Sequence, residues 1–211
     1  SADVDIAQAF ADHFKQPFAC AQPLNTPVSK NIEAGSNLEE WLFSVEETDR
    51  LMRAHLKCGK AAGFDNIMTE HILLAHPALM LHITTLFNLM LKHGYVPSAF
   101  GTGVIVPLVK DRNGPTDKLN NYRGITLSPV ISKLFELCLS DKFNQYLFSH
   151  RLQFGFKQGS GCSSAIFVVQ QVIECYPQRG SNVYVCALDA TKAFDYVEHT
   201  MLFDKLMYRG V

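Results

Sequence analysis

The stretch Tyr184-Val-Cys-Ala-Leu-Asp189-Ala-Thr-Lys-Ala-Phe194-Asp195-Tyr-Val-Glu-His199 decides how the rest of the chain is interpreted. Apolar or β-favouring residues run from Val183 to Leu188 and end at the carboxylate of Asp189. A helical pattern resumes near Val197. This pattern predicts a buried strand that carries Asp189 at its C-terminal end.

A carboxylate at the end of a buried strand is costly unless a cation or hydrogen-bond donors face it. A divalent metal is one such partner, and the N-terminus of the next helix is another, so the spacing leaves a metal site and a simple helix cap both open. Phosphatases of the haloacid dehalogenase type need a second Asp where Thr191 stands. A nucleotide-binding P-loop needs a Gly-rich loop ending in Lys-Ser/Thr, which the sequence lacks.

The run from Leu188 to Asp195 resembles the first catalytic motif of reverse transcriptases from non-LTR (LINE-type) retrotransposons. In that family the pattern is Leu-Asp-x-x-Lys-Ala-Phe-Asp, followed shortly by a His, and His199 stands in that place. Further segments, described below, resemble the same family in the same order. The resemblance therefore covers roughly residues 40 to 211.

Composition indicates an ordinary globular chain that can bury a core. It has 211 residues, of which 47% are hydrophobic and 18% charged. The formal net charge of −1 does not indicate a strong nucleic-acid binder. The charge is uneven, however: residues 1–50 hold three Lys/Arg against nine Asp/Glu, whereas residues 101–160 hold eight against four. The basic excess thus lies just before the Asp189 stretch.

The six cysteines form no Cys-x-x-Cys pair and are not spaced with the eight histidines like a zinc site, which favours reduced thiols inside a cell. No signal-peptide pattern opens the sequence. The uncharged run from His71 to Leu91 contains three His and Pro77, so two core-facing helices explain it better than a membrane span. An intracellular protein without a membrane segment is expected, and the resemblance implies the nucleus and cytoplasm.

The first part of the chain predicts helices. Ala7, Phe10, Ala11, Phe14 and Phe18 share one helical face, which indicates an amphipathic helix from about Asp3 to Lys15. A Pro-rich linker follows. Beyond it, Ser44 and Glu47 form a capping box, and Lys60 to Ile67 form a glycine-bearing turn. Two helices then lie on either side of Pro77, and Gly94 caps the end of the second. The turn resembles the family's Lys-Ala-x-Gly-Pro-Asp-Gly-Ile, with Phe64 and Asn66 departing from it.

Two strands with a turn between them are predicted next. Gly103 to Val109 leads to Lys110, and Asn121 to Leu127 returns with Arg123, as in a β-hairpin. Arg and Lys together can hold a polyphosphate, although solvated surface cations are the alternative. These segments resemble the family's Ile-x-Pro-x-x-Lys and Asn-Tyr-Arg-Pro-Ile-Ser-Leu, and the resemblance implies that Lys110 and Arg123 bind the incoming triphosphate. Gly124 stands in the place of the family Pro.

The remaining segments predict helices and one loop. Ser128 as N-cap and Pro129 as first helical residue open a helix, and a second helix runs from Cys162 to Cys175 with Ile166, Val169, Val172 and Ile173 facing inward. Between them, Gln153 to Gly161 is a loop rich in glycine and aromatic residues. It resembles the family's Gln-x-Gly-Phe-Arg loop, which implies template binding by Gly155, Phe156, Lys157 and Gln158. A tight structural loop with buried Phe is the alternative.

The resemblance implies an α+β fold: the fingers and part of the palm of a right-hand polymerase, with helices packed on a small, mostly antiparallel sheet. The expected divisions are an N-terminal helix and linker (1–40), a fingers region (41–180) and the start of the palm (181–211). The implied reaction is RNA-directed DNA synthesis, the transfer of a deoxynucleotide from dNTP to a primer 3′ hydroxyl on an RNA template. Mg²⁺ or Mn²⁺ is the implied cofactor, held by Asp189 and the backbone carbonyl of Ala190.

Phe194 matches the family residue that excludes a ribose 2′ hydroxyl, so the resemblance implies that it selects deoxynucleotides. The expected partners are an RNA template, a DNA primer and dNTP, with the rest of the palm and the thumb of the same polyprotein downstream. Because the further carboxylates of the family site do not occur before Val211, the chain alone is expected to be inactive. A non-catalytic remnant, or a recruited module that binds RNA or protein, is the alternative.

Overall fold

The computed structural model describes residues 2–18, 38–157, 159–190, 193–194 and 196–210. Within these ranges the chain forms helices and one two-stranded antiparallel sheet. This agrees with the predicted α+β class, while the assignment to fingers and palm stays a prediction. The chain divides into two compact units, residues 1–143 and 144–211. The predicted divisions at residues 40 and 180 also stay predictions.

The helices and strands follow one another in the order α1 Ala2–Phe18, α2 Val45–His55, α3 Thr69–Leu73, α4 Ala78–His93, β1 Val104–Val109, β2 Tyr122–Leu127, α5 Val130–Lys142, α6 Cys162–Gln178 and α7 His199–Tyr208. The first unit contains α1 to α5 and the sheet, and the second contains α6 and α7. No helix in the described ranges combines the length and apolar character that crossing a bilayer requires.

The core of the first unit lies among α2, α4 and α5. Its buried apolar side chains are Phe43, Leu51, Met52, Ile72, Met80, Ile83, Phe87, Met90, Val130, Leu134, Phe135 and Cys138. At its centre the ring centroids of Phe87 and Phe135 are 5.0 Å apart, and Phe43 and Phe100 approach Phe135 edge-on. Because aromatic side chains bury the most area per residue, this cluster dominates the packing of the unit.

The predicted starts and ends of the helices in this unit are largely confirmed, because local hydrogen bonds set them. Before α2, the Glu47 amide donates to Ser44 Oγ (3.0 Å) and the Ser44 amide donates to Glu47 Oε2 (2.9 Å), which is the predicted capping box. Pro77 separates α3 from α4, and Gly94 ends α4 with a left-handed φ of 57°. The predicted N-cap of α5 is wrong by one residue: Pro129, not Ser128, precedes the first helical residue, since its ψ of 143° is extended.

The turn that links α2 to α3 has Gly63 where the family pattern has its first Gly and Asn66 where it has its second, and the structure explains both residues. The Asn66 amide donates to the Gly63 carbonyl (3.2 Å), and Asn66 itself has a left-handed φ of 58°. Among non-glycine residues, Asn adopts this region most readily, so it can stand where the family has Gly. Gly63 is buried against the chain at the end of β2: an added Cβ would lie 2.9 Å from Pro129 N and 3.0 Å from Ser128 C.

Gly63→Ala is therefore expected to lower the free energy of unfolding by about 1–3 kcal/mol, because backbone atoms cannot yield to the new methyl group as a side chain can. Urea denaturation followed by circular dichroism measures this change. Gly101→Ala is the matched control, since a Cβ there meets nothing within 4 Å. Equal urea midpoints for the two variants would show that Gly63 does not pack against the backbone of Ser128 and Pro129.

The predicted hairpin is confirmed by the antiparallel pairing of β1 and β2. Val104 pairs with Leu127, Leu108 with Arg123 and Val109 with Tyr122. Just beyond the strands, the Lys110 amide donates to the Asn121 carbonyl at 2.7 Å. Since hydrogen-bonded and non-hydrogen-bonded pairs alternate, the Pro107–Gly124 pair is of the second kind. A proline fits there because the ladder needs no N–H from it.

The second unit departs from the prediction in its burial. Helix α6 forms where a helix was predicted, but its supposed inward side chains are all exposed, namely Ile166, Val169, Val172 and Ile173. Residues 181–190 form no strand, and Tyr184 and Leu188 are 91% and 95% exposed. The expectation of a buried strand is thus wrong for this structure. A strand needs a neighbour to accept and donate its backbone hydrogen bonds, and in the described residues β1 and β2 pair only with each other.

One contact holds the two ends of the second unit together. The Arg209 guanidinium, just after α7, donates to the Phe148 carbonyl at 2.7 Å, and its central carbon lies 4.3 Å from the centre of the Phe148 ring. This combination of a hydrogen bond and a cation–π contact joins the C-terminal end of α7 to Phe148.

Candidate functional site

The hairpin places Lys110 and Arg123 on the same face of the sheet. In the register, Arg123 faces Leu108, and Lys110 follows two residues after Leu108. Because side chains two apart on a strand point to the same side, Lys110 and Arg123 share a face with Leu108 and Ile125. Both cations are exposed, and none of the ion pairs in the described ranges includes Arg123. The face can therefore present a guanidinium fork and an ammonium to one anion.

Asn121 holds the turn that carries Lys110. Its side-chain oxygen accepts from the Asp111 amide (3.1 Å), and its Nδ2 donates to the carbonyls of Asp111 (3.0 Å) and Pro115 (3.1 Å). The Lys110 ammonium donates to the neighbouring Asn120 carbonyl at 2.8 Å, which uses one of its three N–H groups. The sequence pattern predicts Asn121 only as the first residue of the strand. An Asn at the edge of a turn was the available signal, since its side chain often bonds nearby backbone.

Helix α1 lies on the opposite face of the hairpin. The rings of Phe10 and Tyr122 meet edge-on with centroids 4.8 Å apart, and Phe14 lies over Gly124. The sequence predicted the apolar face of α1 correctly for these two Phe residues but not what it covers. Nothing in the helical spacing alone names the partner of an amphipathic face.

Asp189 and Ala190 lie in the irregular segment 181–190 of the second unit and are exposed. Carboxylate and carbonyl oxygens are the donors that Mg²⁺ prefers, so the two groups fit the chemistry of such a site. Mg²⁺ takes six ligands, however, and no group of three or more His, Cys, Asp or Glu side chains gathers in the described part of the chain. The pair can therefore fill only part of a coordination shell.

Phe156 and Phe194 come together, although the resemblance assigned them to different ligands. Their ring centroids are 5.5 Å apart with the planes at 82°, and the residues are 91% and 74% exposed. Phe156 has a left-handed φ of 55°, and Gly155 and Lys157 beside it are exposed as well. Gln158, the fourth predicted template residue, lies outside the described residues. Phe156 is thus not buried, whereas Phe154 in the same loop is half-buried.

The predicted site residues thus fall into two groups. Lys110 and Arg123 lie in the first unit, whereas Asp189, Phe194 and Phe156 lie in the second. That Asp189 and the two hairpin cations serve one site, as the resemblance implies, stays a prediction, as do the roles of all these residues.

Comparison with known proteins returns RNA-directed DNA polymerases of mobile elements. The chain is 28% identical over 218 residues to the RNA-directed DNA polymerase from mobile element jockey of Drosophila funebris, covering 94% of this chain and 22% of that protein. It is 28% identical over 213 residues to the probable RNA-directed DNA polymerase from transposon X-element of Drosophila melanogaster, covering 93% and 23%. A putative 115 kDa protein in type-1 retrotransposable element R1DM of Drosophila melanogaster is 28% identical over 169 residues, covering 80% and 16%.

No model of a protein family matches the chain. The chain spans less than a quarter of the length of each of these three relatives. The aligned regions nevertheless cover 80% to 94% of the chain itself. The resemblance to non-LTR retrotransposon reverse transcriptases is therefore confirmed, and over most of its length the chain is similar to RNA-directed DNA polymerases of such elements.

Proposed function

We propose that this chain is the part of an RNA-directed DNA polymerase that holds the incoming dNTP through its hairpin and carries the first metal-binding carboxylate. The relatives' names support nucleotide polymerisation as the activity of the whole protein. The observation that carries the proposal is the antiparallel register of β1 and β2, which puts Lys110 and Arg123 on one exposed face. Both residues stand in segments that resemble the family's triphosphate-binding elements.

In the proposed reaction the primer 3′ oxygen forms a bond to the α-phosphorus of the dNTP. The bond from that phosphorus to the oxygen bridging the α- and β-phosphates breaks, the hydroxyl proton passes to solvent, and pyrophosphate leaves with its negative charge. Arg123 offers two parallel N–H groups to phosphate oxygens, and Lys110 adds a mobile point charge. Their combined role is to orient the triphosphate and to stabilise the charge that accumulates on the leaving group.

Asp189 and the Ala190 carbonyl would hold Mg²⁺ together with further ligands. When bound, that metal would lower the pKa of the primer hydroxyl and neutralise phosphate charge. Phe194 would exclude a 2′ hydroxyl by its bulk. The exposed loop residues Gly155, Phe156 and Lys157, with Gln158, would follow the template, since a ring, backbone amides and a cation bind a single strand without reading its sequence.

Binding of dTTP with Mg²⁺ to the 211-residue chain at low salt tests the proposal. Arg123→Ala is expected to weaken binding by about 10- to 100-fold, because a hydrogen bond to a charged group contributes about 1.5–3 kcal/mol. Lys110→Ala should weaken it less, since that ammonium is already bonded to the Asn120 carbonyl. Isothermal titration calorimetry provides the dissociation constants.

Arg112→Ala is the matched control, because it removes the same charge from the exposed turn of the same hairpin, outside the paired strand residues. Its dissociation constant should stay within about twofold of wild type, as for an exposed charge. Equal losses from Arg112→Ala and Arg123→Ala would mean that only net charge matters and would overturn the proposed clamp. Absence of dTTP binding, together with template–primer binding that falls steeply with salt, would instead favour a nucleic-acid-binding module.

A further inference from the structure

The residues on either side of Arg123 both contact helix α1. Tyr122 meets the Phe10 ring edge-on at 4.8 Å, and Gly124 lies beneath the Phe14 ring. A Cβ built on Gly124 would be 3.1 Å from Phe14 Cδ1 and 3.2 Å from Cε1. Since alternate residues of a strand point to opposite sides, α1 touches the neighbours of Arg123 on one face while the guanidinium emerges on the other.

This stretch of β2 needs support from outside the sheet. A two-stranded hairpin is marginally stable by itself, and glycine restricts the backbone less than any other residue. Gly124 stands directly after Arg123, so the backbone that aims the guanidinium is permissive at that point. The absence of a side chain at Gly124 also lets Phe14 approach the strand closely.

The contact between α1 and the hairpin is concentrated in the two rings. Beside them a cavity of about 560 Å³ remains open, lined on the helix by small residues such as Ala7 and Ala11, and on the sheet side by Gly103, Ile105 and Pro107. The interface is therefore not filled around the rings. Truncation of the rings should therefore release the helix from the strand.

We propose that α1 is a positioning element for triphosphate binding, in which Phe10 and Phe14 hold β2 from behind and so fix the orientation of the Arg123 guanidinium. This proposal rests on the proposed function, because the effect of a fixed Arg123 is measured as affinity for the triphosphate. The physical gain is preorganisation: a fork that is already oriented loses less conformational freedom when the triphosphate binds. Phe10 and Phe14 touch no nucleotide in this scheme and act only through the strand.

The test compares dTTP–Mg²⁺ affinity of the full chain with and without the two rings. Phe10→Ala combined with Phe14→Ala is expected to weaken binding about three- to tenfold, through the lost preorganisation. The same double change in an Arg123→Ala background should produce no further loss. This coupling distinguishes positioning of Arg123 from a general effect on the protein.

Two controls separate this effect from loss of stability. Val4→Ala truncates an exposed apolar residue of the same helix, and Met80→Ala destabilises the helical core away from the hairpin; both should keep wild-type affinity well below the unfolding temperature.

The outcomes separate the two proposals. If wild type and Arg123→Ala bind dTTP equally, the proposed function fails. If Arg123→Ala weakens binding while the double ring variant binds like wild type, the proposed function stands and the positioning role of α1 is refuted. If the double ring change lowers dTTP affinity by the same factor in the Arg123→Ala background, the positioning role of α1 is also refuted, since the rings would then act without Arg123.

Discussion

Replacing Phe87 by alanine is expected to lower the free energy of unfolding of the first unit by about 3–5 kcal/mol. The Phe87 side chain is fully buried, and its ring contacts the rings of Phe43 and Phe135. Removing it deletes a large apolar area and leaves a cavity lined by rings that cannot fully collapse into it. A loss of this size is a large fraction of the about 5–15 kcal/mol that stabilises a typical domain.

Urea unfolding monitored by circular dichroism measures this loss. Leu89→Ala, on the same helix α4 but 47% exposed, is the control and should cost about 1 kcal/mol or less. If the two variants unfolded at the same urea concentration, the aromatic cluster would not be the centre of the core.

Alkaline pH is expected to destabilise the first unit through Cys138. Burial raises the pKa of the Cys138 thiol to about 11, and a hydrogen bond with Thr48 offsets part of that rise. Below the pKa of the unfolded thiol, about 8.5, both states carry the proton and the buried thiol contributes its full stability. As the pH rises from there towards 11, only the unfolded state loses the proton, so stability falls, by about 3 kcal/mol in total.

Cys138→Ala isolates this contribution, because alanine has no proton to lose. The free energy of unfolding of wild type minus that of the variant should decrease steadily between pH 8.5 and 11 and stay constant between pH 7 and 8. A difference that does not change with pH would show that the thiol ionises as easily in the folded chain as in the unfolded one. Slow alkylation of Cys138, compared with the exposed Cys58, Cys162 and Cys186, is an independent check.

The sequence predicted the first unit best where the signal was local. Ser44 and Glu47 bond each other's backbone across one helical turn, and Gly94 needs only its own left-handed φ to end α4. The hairpin was predictable for the same reason, since two β-favouring runs flank one turn. In each case the residues that determine the structure are within about twenty positions of one another.

Burial in the second unit was predicted less well, because it depends on partners that a local pattern does not name. The apolar spacing of α6 correctly indicated a helix, but Ile166 and Val169 are exposed because no described element of that unit covers them. Likewise, the run from Val183 to Leu188 has the composition of a strand, but no strand of the described part of the chain pairs with it. Periodicity states which side chains favour burial, whereas the structure must supply what buries them.

For the candidate site, the sequence named the chemically active groups but not the residues that support them. Lys110 and Arg123 followed from the resemblance and from strand ends. Asn121, which holds the turn through three hydrogen bonds, and Phe14, which lies over Gly124, did not. Such supporting roles depend on contacts across the sheet or between distant segments, so they become visible only in three dimensions.

Pro107 has a consequence for how the sheet can grow. In a non-hydrogen-bonded pair the backbone N–H points away from the partner strand, and at Pro107 that outward position carries a ring instead of a donor. In the described ranges β1 pairs with β2 alone, and its other edge is thus blocked in its middle against the addition of another strand, from this protein or from a neighbouring molecule. The outer side of β2, where Gly124 keeps its N–H, is the edge on which this ribbon can be extended.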